Sequence, residues 1–365
     1  MHDIRSTLDT WFAAGEPVAL ATVLRTWGSA PRPPGAKLAV SPGEIAGSVS
    51  AGCVEAAVIE AAREVLASGR PQRLTFGVSD DTAWSVGLSC GGEIELWVDR
   101  LDGALHRTVT AAMDRGDSVA IVTAVSGPED ELGAKLALVR GRTDAEVNGM
   151  PPYLADAAGA PAREILAEGA SRLIDVNPPP GSPEFPEFRT SRDVLESPQS
   201  RELFVDVILP RPTLAIVGAG HIALALVPMA RILGYRTVVI DPREALATAV
   251  RFPEADRIVV DWPDAALAAL PVTASTAIAV LSHDSKIDDP ALLAALVSPA
   301  CYVGALGSRS SQAGRRERLG AAGIGAAQLD RLHGPIGLDL GAQSPEEIAL
   351  AILAEITAVR RARAK

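Results

Sequence analysis

The sequence predicts an α/β protein in two parts: an N-terminal α/β domain with an internal duplication over residues 1–209, then a doubly wound parallel sheet over 210–365. Three observations predict it. Four short blocks recur in the same order about one hundred residues apart. A β-branched run enters a glycine turn, an apolar helix and a second β-branched run that ends on Asp241. Beyond that point, strand-like and helix-like stretches alternate to the C-terminus.

The repeat comes first along the chain. Val18–Val23 returns as Val119–Ala124, and Gly35-Ala36-Lys37-Leu38-Ala39 returns unchanged as Gly133–Ala137. Ala62–Ala67 then matches Ala162–Ala167, and Glu95-Leu96-Trp97-Val98-Asp99 matches Glu202-Leu203-Phe204-Val205-Asp206. The unit reads as strand, loop, strand, helix, strand, and its period is too long for a solenoid. Copy two is an internal control, since what the fold alone requires should survive in both. Counting from the aligned helix, Gly52, Cys53 and Glu55 face Pro152, Tyr153 and Ala155. The basic loop Arg25–Pro34 becomes the shorter, acidic Ser126–Leu132. Leu88-Ser89-Cys90-Gly91-Gly92 has no counterpart in the Pro-rich segment 177–199. Chemistry is therefore expected in copy one. Lys37 is shared with Lys135 and also has a structural reading.

Cys53 follows a glycine-containing turn that opens an Ala-rich helix. Helix N-termini favour a thiolate, which could react or bind metal, while the alternative is a small apolar residue filling a corner.

Thr213–Val217 is the strand that enters Gly218-Ala219-Gly220-His221, with an apolar helix to Leu233 and a strand over Thr237–Ile240. This is a Rossmann βαβ opening. Gly218 permits the tight turn, Gly220 lets backbone approach a pyrophosphate, Ala223 stands at the helix–strand contact, and Asp241 is placed to accept ribose hydroxyls. Further strands are expected at 257–260, 276–281 and 302–305. Their ends carry Ser282-His283-Asp284 and Gly307-Ser308-Arg309-Ser310, where Ser308 could cap a helix and Arg309 hold a phosphate. His221 and His283 are candidate acid/base groups or polar residues satisfied by backbone. A doubly wound domain without nucleotide is the plainer alternative.

Composition narrows the function. With 365 residues, 48% of them hydrophobic, the chain can bury a sizeable core. A net charge of −11 argues against a nucleic-acid partner, and the basic runs at 315–318 and 360–363 read as solvated helix faces. Three scattered cysteines, Cys53, Cys90 and Cys301, form no CxxC pair, which speaks against a disulfide framework or zinc ribbon and for a reducing cytoplasm. The N-terminal residues lack an apolar signal core, and glycine and proline interrupt the apolar runs at 213–230 and 265–281, so no membrane association is expected.

Gly28-Ser29-Ala30-Pro31-Arg32, Gly35-Ala36-Lys37, Ser50-Ala51-Gly52-Cys53-Val54-Glu55 and Cys90-Gly91-Gly92 resemble the N-terminal signatures of the XdhC/CoxI family. Gly218-Ala219-Gly220-His221, Asp241-Pro242-Arg243, Ser282-His283-Asp284, Tyr302–Arg309 and Pro335–Ala342 match that family in order. Ala51 departs from the usual glycine, and Ser310-Ser311 stands where basic residues commonly follow, which weakens an anion site at that loop. The resemblance implies a chaperone that binds molybdenum cofactor (molybdopterin), protects it during sulfuration, and delivers it to an apo hydroxylase of the xanthine dehydrogenase or CO dehydrogenase type. A cysteine desulfurase partner and a homodimer are further expectations. The cofactor-binding candidates are Arg25, Arg32, Lys37, Gly52, Cys53, Glu55, Cys90, Gly91 and Gly92, with Cys53, or else Cys90, as the thiol that contacts or guards molybdenum. In the second half they are Gly218, Gly220, His221, Asp241, His283, Asp284, Ser308 and Arg309. The alternative is an NAD(P)-dependent oxidoreductase or other nucleotide-binding enzyme using the Rossmann part, although no Tyr-x-x-x-Lys signature supports it.

Overall fold

The computed structural model describes residues 1–28, 32–50, 52–77, 92–142, 145–177 and 200–363. The chain folds as two compact units, Met1–Pro210 and Arg211–Lys365.

The first unit contains two five-stranded antiparallel sheets of matching order. Strands β1 (Ala19–Trp27), β2 (Lys37–Val40), β3 (Ile45–Gly47), β4 (Gln72–Phe76) and β5 (Glu93–Arg100) form the first, in the order β3-β2-β1-β5-β4. Strands β6 (Val119–Ala124), β7 (Lys135–Val139), β8 (Ala145–Asn148), β9 (Arg172–Val176) and β10 (Arg201–Ile208) form the second, in the order β8-β7-β6-β10-β9. Register repeats as well as order. Thr22 faces Lys37 and Trp97 across its neighbours, as Thr123 faces Lys135 and Phe204.

Helices α1 (Arg5–Ala13) and α3 (Gly103–Arg115) precede the two sheets, and α2 (Glu55–Ser68) and α4 (Pro152–Glu168) cover one face of each. Strand alternation does the sorting. Val23, Ile94, Leu96 and Val98 pack under α2, while Leu24 and Trp97 meet Val125 and Phe204 from the other sheet. The unit is richer than strand, loop, strand, helix, strand. Helix α1, β3 and β4, with their copy-two counterparts, add to it. Strand β3 has three residues and none buried, and β4 is also without a fully buried residue, so neither carries the half-buried alternation by which strands are read.

The second unit is a six-stranded parallel sheet, ordered β13-β12-β11-β14-β15-β16. Its elements are β11 (Thr213–Val217), α5 (His221–Ile232), β12 (Arg236–Ile240), β13 (Arg257–Val259), α6 (Pro263–Ala268), β14 (Thr276–Val280), α7 (Ser285–Val297), β15 (Tyr302–Ala305), α8 (Arg309–Ala321), α9 (Ala326–Leu329), β16 (Leu332–His333) and α10 (Pro345–Arg363). The central strands are apolar on both faces, as helices on each side demand, and two core clusters fill the two layers. Strand order reverses between β11 and β14. In doubly wound sheets the ligand crevice opens there, at the strand C-termini. Among the described residues no helix is long and apolar enough to cross a membrane.

Candidate functional site

In the first sheet, antiparallel pairing and the packing of α2 bring the end of β1, the start of β5 and the N-terminus of α2 to one end. Cys53 stands there, half-buried against the α2-side core, just ahead of the helix. Its loop is shaped by Glu55. One carboxylate oxygen accepts from Ser48 Oγ (2.7 Å) and the Ser50 amide (2.9 Å), and the other from Ser50 Oγ and the Gly52 amide (2.8 Å). Burial opposes ionisation of this group, but the bonds from Ser50 and Ser48 outweigh it and lower its pKa to about 2. Gly52 has φ of +118°, which a side chain would resist, and the space beyond its Cα is open. Glu55, read from sequence as a cofactor contact, has its carboxylate engaged by Ser48, Ser50 and Gly52 of its own loop.

Copy two closes the equivalent place. Helix α4 begins at Pro152, ahead of Ala155, so Tyr153 lies inside the helix where Cys53 precedes one. The Tyr153 hydroxyl donates to Glu131, whose other oxygen is held by Arg201 at 2.8 Å. The Glu131–Arg201 pair is nearly fully buried. Copy one has no such plug among its described residues, and Cys53 is left half-buried.

Arg32 reaches this loop, donating to the Ser48 carbonyl (3.2 Å) and lying 3.6 Å from Asp3. Arg25 does not. A bulge after Val23 turns it to the opposite face of the sheet, where its Nε bonds Glu95 (2.5 Å) and its guanidinium lies 3.7 Å from Glu202. Arg73 bonds the same two glutamates. Burial would raise the Glu95 pKa, but Arg73 and Arg25 outweigh it and hold it low. Sequence reasoning passed over Arg73, although Glu95 and Glu202 were visible as a pair kept in both copies.

Lys37 also leaves the candidate site. It is buried and pairs with Asp206 of copy two at 2.6 Å, while Lys135 pairs with Asp99 of copy one. These crossed pairs border a cavity of about 30 Å³ with Thr22 and Thr123, room for a water but far below ligand size. Retention of the lysine in both copies therefore reflects the joint between the sheets. Gly92 is buried just before β5, and Cys90 and Gly91 lie outside the described residues.

In the second unit, Gly218 has φ of +104°, and a Cβ there would meet the Ser282 amide nitrogen at 2.8 Å, so β11 and β14 approach too closely for any other residue. Gly220 starts α5 with open space beside it and no side-chain cap, and His221 is exposed. Asp241 was expected to take ribose. Instead its fully buried carboxylate accepts from the Ala219 amide (2.7 Å) and from the Arg243 amide and guanidinium (2.8–2.9 Å). Burial opposes its ionisation, and Arg243 and the Ala219 amide overcome it, so its pKa is lowered. Arg243, two residues on, folds back and fills the acceptor, and sequence shows this only as an arginine near the aspartate.

His283 is exposed and adopts φ of +65°, uncommon for a non-glycine residue. Asp284 caps α7 through the Lys286 amide (2.9 Å), and Ser308 caps α8 through the Ser311 amide (3.2 Å). Arg309 is 85% exposed and pairs with Asp339 at 3.3 Å. No group of three or more potential metal-ligating side chains occurs among the described residues.

Residues 214–356 match the family model described as the XdhC Rossmann domain, and residues 11–77 match that of the XdhC and CoxI family. A Bacillus subtilis (strain 168) protein, named as a probable xanthine dehydrogenase component, is 27% identical over 99% of this chain and 98% of its own length. The molybdenum cofactor insertion chaperone PaoD of Escherichia coli (strain K12) is 25% identical over 95% of this chain and 85% of its own. A crystal structure from Bacillus halodurans, described as a xanthine dehydrogenase, shares the fold with a TM-score of 0.76 at 24% identity, covering 98% of this chain and 96% of that one. With family models matching in both units and relatives similar along nearly the whole chain, the protein belongs to the XdhC/CoxI family.

Proposed function

We propose that this chain is an accessory chaperone that binds molybdenum cofactor, shields it while its terminal sulfur is installed, and delivers it to a molybdenum hydroxylase of the xanthine dehydrogenase type. The names of its relatives support the general role. The observation that carries it to particular residues is the contrast between copies: Tyr153, Glu131 and Arg201 seal in copy two the position where copy one leaves Cys53 half-buried. The cargo is anionic and has a soft-ligated metal, so thiolate and cationic donors suit it. Cys53 supplies the thiol, Arg32 a cation bonded to Ser48 of the same loop, and Gly52 the open approach. A cysteine desulfurase is the partner that sulfuration requires.

Native mass spectrometry of protein co-expressed in a cofactor-producing host tests the reading. Wild type is expected to carry a molybdopterin-sized mass, and Cys53→Ala to lose most of it with unchanged thermal stability. Equal retention by both removes the thiol role, and no retention by wild type overturns the function.

A second reading concerns the Rossmann unit alone. Open space at Gly220 and the exposed Arg309 favour a phosphorylated ligand, while the filled Asp241 deprives it of a ribose acceptor. Calorimetric titration with NAD and NADP checks this, and absence of heat for both rejects it.

A further inference from the structure

The parallel sheet of the second unit is open along one edge. Strand β13 pairs with β12 on one side and, among the described residues, with no strand on the other. Its inward groups are identified by the Val259 carbonyl, which accepts from the Asp241 amide just past β12 at 3.1 Å. N–H and C=O of successive strand residues alternate between the two edges, so Arg257 and Val259 turn theirs inward, and Ile258 and Val260 turn theirs out from the sheet. No loop or helix backbone among the described residues bonds these outward groups. The opposite edge is blunt, because β16 has two residues and runs into Gly334-Pro335, where the proline has no N–H to offer.

Unpaired edges are commonly guarded by charged side chains that discourage an incoming strand. On β13 the charges are arranged to accept one. Arg257 and Asp261 are both exposed and lie symmetrically about Val259 in the sequence. Among the described residues Arg257 has no ion pair, and Asp261 accepts only from the Trp262 amide, at 2.7 Å. When the segment 257–261 is laid antiparallel on a second copy with a two-fold axis at Val259, Arg257 of each copy falls opposite Asp261 of the other. Ile258 then falls opposite Val260. These are the residues with outward groups, so each such pair exchanges both of its N–H to C=O bonds across the interface. Moving the axis by one residue loses the match: at Ile258 it sets Arg257 against Val259 and Asp261 against Ala255, and at Val260 it sets Arg257 against Pro263. Val260 and Trp262, 49% and 50% exposed, add apolar surface beside the pairing.

We propose that β13 is a self-recognising edge through which two copies of this chain join their parallel sheets, paired antiparallel about Val259. The contact uses the same patch on both copies, so it closes at two and does not propagate. Hydrogen bonds between backbones supply the attraction, and the Arg257–Asp261 pairs fix the register. Nothing in this pairing depends on the cargo.

Sedimentation equilibrium of the full chain across the micromolar range tests it. Wild type is expected to be a dimer. Arg257→Asp sets acid against acid at both ends of the pairing and Asp261→Arg sets base against base, so each variant alone should self-associate about a hundredfold more weakly. An equimolar mixture of the two variants restores an opposite pair at each end and should recover wild-type association, which also shows that both chains are folded. A wild type that stays monomeric, single variants that dimerise as wild type does, or a mixture no more associated than its components each overturn the proposal.

Discussion

Replacing Glu55 by Gln tests how the loop before Cys53 is held. The carboxylate accepts four bonds from Ser48, Ser50 and Gly52, and it titrates at about 2 in place of 4.5. At about 1.36 kcal/mol per pH unit, that difference amounts to roughly 3 kcal/mol of stability at neutral pH. The group keeps solvent access, which screens its interactions, so about half of this is expected, roughly 1–2 kcal/mol. Glutamine matches the shape but turns an NH2 to one side, and since each carboxylate oxygen accepts from a backbone amide, Ser50 or Gly52, one of these amides loses its partner. A folded-state pKa below the unfolded one gives stability that is complete above about pH 4.5 and lost as pH falls toward 2. Urea unfolding followed by tryptophan fluorescence should therefore show Glu55→Gln about 1–2 kcal/mol less stable at pH 7, with the gap shrinking below about half that near pH 3. Cys53 should also react faster with a thiol reagent in the variant, measured in a Cys90→Ser background. A gap that does not change with pH, or no gap at pH 7, refutes the reasoning.

Three further outcomes follow from buried groups. Lys37→Met should cost about 3–5 kcal/mol by leaving Asp206 buried without its partner, and a second substitution, Asp206→Leu, should restore most of it; chemical denaturation measures both. Gly218→Ala should lower the melting temperature of the second unit, since its Cβ would sit 2.8 Å from the Ser282 nitrogen at positive φ, whereas Gly220→Ala, with open space, should cost less. Asp241→Ala should speed hydrogen exchange at the Ala219 amide and destabilise the unit by about 1–3 kcal/mol, because a buried donor loses its acceptor.

Part of the candidate site was legible because the chain contains its own control. Substitution of Tyr153 for Cys53 and of Ser126 for Arg25 marks positions where copy one departs from what its fold needs. Shared residues were harder to interpret. Lys37 and Lys135 look alike in sequence whether they grip a ligand or each other's sheet, and only the crossed pairing with Asp206 and Asp99 distinguishes these. Asp241 and Glu55 read ambiguously in sequence for a common reason: a carboxylate near a glycine turn is equally able to accept from a ligand or from the turn's own amides. In both places the structure shows bonds from the turn's own amides.

Sequence by itself determined the α/β class, the duplication and the Rossmann turn, because these rest on periodicity, β-branched runs and glycine positions that act over a few residues. The tertiary structure decided which polar groups were already spent. Satisfaction of a buried donor or acceptor depends on partners brought from as far as Arg25 to Glu202 or Lys37 to Asp206, and no local pattern records such distances. It also decided the faces: a single bulge after Val23 places Arg25 and Trp27 on one side of the sheet and leaves Cys53 on the other.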